Sequence, residues 1–273
     1  MAAHTISRTT LVAVLVTTIA ALTARSWLQI QLTESGMQKL VAADLSYLVV
    51  PPVLISLLFP LWRTEKAFLA SQFRRKDLTW KLALTAIAIG ILIRVLWWSQ
   101  LIAGASFGVY TSPDPKAIVG PIISFQCGSP GVIFLGFFVM AILVPLIEEI
   151  VHRGYIQTAL RHRGFIIAVV ISSIIFALFH RFSSWPTVFI AGLILGTQYF
   201  FTRSLWMSLI THATVNGLIQ IDWRCLSVIW NPSLDGHLLL IPGTAALVVM
   251  LVSLVILATL LWRLATGTDN LPR

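Results

Sequence analysis

The sequence predicts an all-α, polytopic transmembrane bundle of about eight helices, and three observations predict it. Of 273 residues, 58% are hydrophobic and only 11% are charged, whereas a soluble domain carries about 25% charged residues. The apolar residues fall in successive runs close to the roughly 20 residues that a helix needs to cross about 30 Å of hydrocarbon. The basic residues gather on one side of a chain threaded through those runs, as expected of a cytoplasmic face.

The eight runs lie at about 9–24, 41–62, 82–102, 131–151, 165–180, 187–202, 205–221 and 238–262. The first follows a short basic stretch and precedes small residues, as a signal peptide would, but is read as a retained helix. The second is interrupted by Asp44, Pro51 and Pro52, since proline removes a donor from the helical ladder. The third, 82-LALTAIAIGILIRVLWW-98, contains Arg94, which must find a partner or an aqueous cavity; Asp44 is the nearest candidate by type, in a structural pair. Between these two, 63-RTEKAFLASQFRRKDLTWK-81 is the longest polar connection and reads as a basic amphipathic helix along the membrane surface. The tryptophans at 97, 98, 185, 206, 223, 230 and 262 suit interfacial belts, and His4, His162 and His237 read as terminal or loop residues. No linker, repeat or low-complexity tract divides the chain, so a single integral membrane domain over 1–273 is expected.

Net charge is +9, but its placement assigns it to topology and not to a nucleic-acid partner. With the first helix entering from the cytoplasm, Arg8, Arg63, Lys66, Arg74, Arg75, Lys76, Lys81, Arg153, Arg161, Arg163, Arg203, Arg263 and Arg273 face inward, and Arg25, Lys39, Lys116, Arg181 and Arg224 face outward. Both termini are then cytoplasmic. Arg outnumbers Lys 14 to 5, which favours a bacterial plasma membrane. Cys127 and Cys225 both fall on the outer side; a disulfide and two free thiols each fit, because sequence does not give their separation.

The stretch 143-LVPLIEEIVHRGYIQ-157 sets Glu148, Glu149, His152 and Arg153 at the end of the apolar run 131-GVIFLGFFVMAILVPLI-147. Ionisable groups at membrane depth cost at least about 2.5 kcal/mol and are usually functional, paired or turned to a polar cavity. If the fourth helix continues through about Leu160, the next turn centres near Gly164, and Glu148 and His180 lie equally far from it on either side. Equal distance along an antiparallel hairpin means equal depth. His212 and Asn216, one turn apart in 212-HATVN-216, share a helix face. They start about 10 Å nearer their own cytoplasmic turn, an offset removed if the Arg161-His162-Arg163 turn projects that far into the cytoplasm. Each group also has a structural reading: a buried ion pair, an interfacial snorkelling residue, or interhelical hydrogen bonding.

The signatures 148-EEIVHR-153, 176-FALFH-180 and 212-HATVN-216, in that order over about 131–221, resemble the E-E-x-x-x-R, F-x-x-x-H and H-x-x-x-N/B motifs of the CPBP family, the CAAX proteases and bacteriocin-processing enzymes. His152 departs from it, standing where relatives often carry an aromatic or aliphatic residue, and leaves an additional polar role open. The resemblance implies an intramembrane endopeptidase acting on a membrane-associated peptide or protein tail. Glu148 would be the general base, His180 would hold the water, Arg153 would fix Glu149, and His212 and Asn216 would stabilise the oxyanion. A carboxylate in a low-dielectric cavity is a stronger proton acceptor than in water, which suits that base. No cofactor is required by this chemistry, although a Glu with two His could also ligate zinc; the chain lacks H-E-x-x-H. A noncatalytic peptide-binding or immunity protein is the alternative, and a proton-coupled transporter a third reading, disfavoured by the lack of repeated halves.

Overall fold

A computed structural model describes residues 6–74, 78–106, 121–125, 127–230 and 243–267. The sequence expectations for His4, Arg75, Lys76, Lys116, His237 and Arg273 fall outside these residues.

The first helix, α1 (Arg8–Glu34), begins where the Ser7 hydroxyl accepts from the Thr10 amide at 3.0 Å. It runs past the end of its apolar stretch because nothing breaks it before Gly36, whose φ of 91° is left-handed. The second expected span is split into α2 (Lys39–Tyr47) and α3 (Val50–Gln72), with Pro51 and Pro52 in the first turn of α3, where missing amide donors cost nothing. α3 continues as one helix to Gln72. This corrects the separate surface helix expected within 63–81: the good helix formers of the 65–70 stretch extend α3 instead.

α4 (Trp80–Ser106) packs along α8 (Leu205–Cys225) and α9 (Gly243–Gly267). The fourth span is the continuous helix α5 (Pro130–Arg163), succeeded by α6 (Phe165–Leu178) and α7 (Trp185–Thr202). Gly164, at φ 92°, turns the chain between α5 and α6. Apart from these helices, β1 (Pro121–Phe125) and β2 (Leu226–Trp230) form one antiparallel two-stranded ladder, pairing Phe125 with Leu226. Beside it Cys127 and Cys225 form a disulfide, so of the two states the sequence left open the paired one is found.

By length and composition, Arg8–Glu34, Lys39–Leu61, Trp80–Gln100, Pro130–Arg163 and Thr244–Thr266 can each cross a membrane, and Phe165–Leu178 is shorter but apolar. Large apolar side chains such as Phe134, Ile166 and Val255 stand exposed on the outside, as in a bundle solvated by acyl chains. Inside, one apolar cluster (Ile89, Ile93, Met207, Val215, Leu257) joins α4, α8 and α9. A second (Val14, Phe68, Val151, Tyr155, Ile156) joins α1, α3 and α5. Buried polar residues Glu149, His152, Arg153 and Gln157 follow one another along α5.

Candidate active site

Two features of α5 set the site. First, it contains two stretches of π-helical turn, Phe137–Leu143 and Ile150–Gln157, with Glu148 and Glu149 on the ordinary turn between them. Each wide turn resets the azimuth of the helix beyond it. Second, its polar side chains climb α7 in step. Arg153 Nη2 donates to the Gly192 carbonyl at 3.3 Å, Gln157 Nε2 to Gly196 at 2.7 Å, and Arg161 Nη2 to Phe200 at 2.8 Å. Both series advance four residues at a time, so the two helices run parallel and in register.

The adjacent carboxylates occupy unlike surroundings. Glu149 is fully buried, and its Oε1 is 3.1 Å from Arg153 Nη1 and 2.9 Å from His212 Nδ1. Arg153 is buried too, with its guanidinium carbon 4.5 Å from the centre of the Phe176 ring. A carboxylate with two cationic or donor partners is held in one orientation. Glu148, by contrast, keeps 19% of its side-chain surface exposed and faces a cavity of about 330 Å³.

His180 and His212 approach Glu148 from separate helices. His180 Nε2 lies 3.9 Å from Glu148 Oε1, and His212 Nε2 lies 3.6 Å from Oε2. Their other nitrogens are committed. His180 Nδ1 donates to the Phe176 carbonyl at 2.8 Å, and His212 Nδ1 donates to the Glu149 carboxylate. Because a carbonyl and a carboxylate only accept, both Nδ1 atoms carry a hydrogen, and Nε2 is the ring nitrogen turned toward Glu148 in each. Trp185 Nε1 donates to the His180 carbonyl at 3.0 Å and pins that residue just beyond the end of α6.

The other candidates take distinct positions. Asn216 stands one turn after His212 but donates through Nδ2 to the Met140 carbonyl at 2.8 Å, inside the first wide turn of α5. His152 is buried and lines the same cavity; its Nδ1 donates to the Glu148 carbonyl at 2.8 Å, and its ring meets Phe176 and Phe179 edge-on. The offset expected for His212 disappears, because α5 stays helical through Arg163 before the chain turns back. Arg94 lies over the Trp97 and Trp98 rings, and Asp44 is buried on α2. Arg25 and Tyr47, to which the sequence assigns no role in the site, line the cavity with Glu148. No motif marks them, and only the folding of α1 and α2 against α5 reveals them.

As donors, Glu148, His180 and His212 are of the kind that bind zinc, with each second nitrogen already hydrogen-bonded. Yet among the described residues no three His, Cys, Asp or Glu groups are gathered closely enough to hold a metal ion.

Residues 130–218 match the Rce1-like family, described as type II CAAX prenyl endopeptidase Rce1-like. The membrane-embedded CAAX protease MroQ of Staphylococcus aureus (strain USA300) is 37% identical over 92 residues, which is 31% of this chain and 37% of that protein. The chain thus matches little more than a third of its curated relative. No solved structure matches it.

Proposed function

We propose that this chain, an integral membrane protein whose residues 130–218 match the Rce1-like CAAX endopeptidase family, hydrolyses a peptide bond of a membrane-associated peptide or protein tail. The observation that carries the reading is the division of labour between the carboxylates. Glu149 is locked by Arg153 and His212, while its neighbour Glu148 borders a cavity with the Nε2 atoms of His180 and His212 turned toward it.

Glu148 takes a proton from a water molecule oriented by His180 Nε2, and the water oxygen bonds to the scissile carbonyl carbon. The proton on Glu148 then passes to the leaving nitrogen as the C–N bond breaks, which regenerates the carboxylate. General-base catalysis of this kind contributes about 10²–10⁴-fold. His212, as an imidazolium, presents Nε2–H to the developing oxyanion while Glu149 accepts from Nδ1. Asn216 has one amide hydrogen on Met140 and a second for the same oxyanion; such a donor is worth about 3 kcal/mol of barrier elsewhere. The bacterial plasma membrane, with both termini cytoplasmic, is the setting that the charge distribution supports.

The test is cleavage of candidate tails in proteoliposomes by the full chain and by Glu148→Gln, with and without a chelator. Product that depends on Glu148 and survives chelation is expected. Product unchanged in Glu148→Gln would overturn the assignment of the base. Loss on chelation with recovery on adding zinc would overturn the metal-free water activation, and tight binding of every tail without product would favour a noncatalytic binder.

A further inference from the structure

We infer that Arg25 and Arg181 make one wall of the cavity a carboxylate-binding subsite, so that preferred substrates carry a carboxylate close to the bond that is cut. The inference rests on the endopeptidase reading and names its substrate class.

Both arginines line the cavity that Glu148 borders, Arg25 from α1 and the exposed Arg181 from the segment after α6. The Arg25 guanidinium carbon lies 4.1 Å above the Tyr47 ring centre. Its Nε is buried and has no hydrogen-bond partner among the described residues. Stacking on an aromatic face fixes the plane of a guanidinium and leaves its edge free to meet a carboxylate with two parallel bonds. Tyr47 lines the same cavity as Arg25, Glu148 and Arg181.

Charge supports the same conclusion. Two permanent cations, Arg25 and Arg181, line this cavity with one cavity-facing carboxylate, Glu148, so a ligand carboxylate finds an excess of positive charge there. A ligand carboxylate would compensate the second cation. Arg25 and Tyr47 also lie outside residues 130–218, so the chemistry shared along that segment does not account for them. They belong to the part of the wall contributed by α1 and α2. That is where selectivity between substrates would reside, with water activation supplied by α5, α6 and α8.

The carboxylate can be a chain terminus or an acidic side chain, and matched peptides separate the two. The full chain in liposomes is given internally quenched peptides as free acid or C-terminal amide, and an amidated series carrying Glu or Gln beside the cleaved bond. The carboxylate member of one pair is expected to be preferred by about tenfold or more in kcat/KM, mainly through KM. Preference within the acid–amide pairs identifies the terminus as the source, and preference within the Glu–Gln pairs identifies the side chain. Arg25→Gln and Arg181→Gln should each narrow the preference, and Arg25→Lys should keep part of it. Arg181 is exposed, so its variant carries the test if Arg25→Gln fails to fold. Equal rates within all pairs, with cleavage still dependent on Glu148, would overturn this inference and leave the endopeptidase standing. Carboxylate-selective binding by anisotropy, weakened by Arg25→Gln but without cleavage, would uphold the subsite and overturn the endopeptidase.

Discussion

Glu148 and Glu149 are neighbours in sequence, yet replacing each should fail in a different way. Glu148→Gln removes the proton acceptor while leaving a part-exposed side chain of the same shape, so kcat should fall by about 10²–10⁴-fold with no change in thermal unfolding. Arg153→Met leaves Glu149 buried without its cation. Breaking such a pair costs about 3–5 kcal/mol, and a lowered unfolding temperature, monitored by intrinsic fluorescence, should report it. The candidate residues were legible because charge is scarce in this chain and because equal steps from a turn give equal depth. The resemblance and the one-turn step from Glu149 to Arg153 already set the two carboxylates apart; the choice of His212 as the second partner of Glu149 was not legible. That choice depends on the azimuth of α5, and the wide turn at Phe137–Leu143 shifts it without any marker in the apolar sequence FFVMAIL. The commitment of Asn216 to the Met140 carbonyl has the same origin, since a π-turn loosens the ordinary ladder around that carbonyl.

Among the elements, close crossings are set by the smallest residues. A Cβ at Gly90 would stand 2.7 Å from Thr214 Cβ and 2.9 Å from the Thr211 carbonyl, so α4 and α8 touch there almost backbone to backbone. Gly131 has nothing within 4 Å. Gly90→Ala should therefore destabilise the protein by about 1–3 kcal/mol, whereas Gly131→Ala should leave the unfolding temperature nearly unchanged; parallel thermal scans of the two variants check this. Helix positions could be read from hydropathy because each run must satisfy its own backbone in lipid. Helix ends could not, since α1 and α3 continue through polar residues that favour helix as well as apolar ones do. The climb of Arg153, Gln157 and Arg161 along α7 was also hidden, because its acceptors are main-chain carbonyls that any sequence supplies.

For the molecule as a whole, the Cys127–Cys225 bridge spans a sequence separation of 98 residues. A loop of about 100 residues is worth roughly 4.7 kcal/mol in the chain-entropy account. Cys225→Ser should lower thermal stability by an amount of that order or less, and a maleimide reagent should label the wild-type chain only after reduction. The bridge joins the entrance of α5 to the exit of α8, and the Glu149–His212 and Asn216–Met140 contacts knit the same two helices further along. The half of the site that performs the reaction is therefore a fixed jamb. A peptide is then expected to enter from the opposite side, with α1 and α2 as the door.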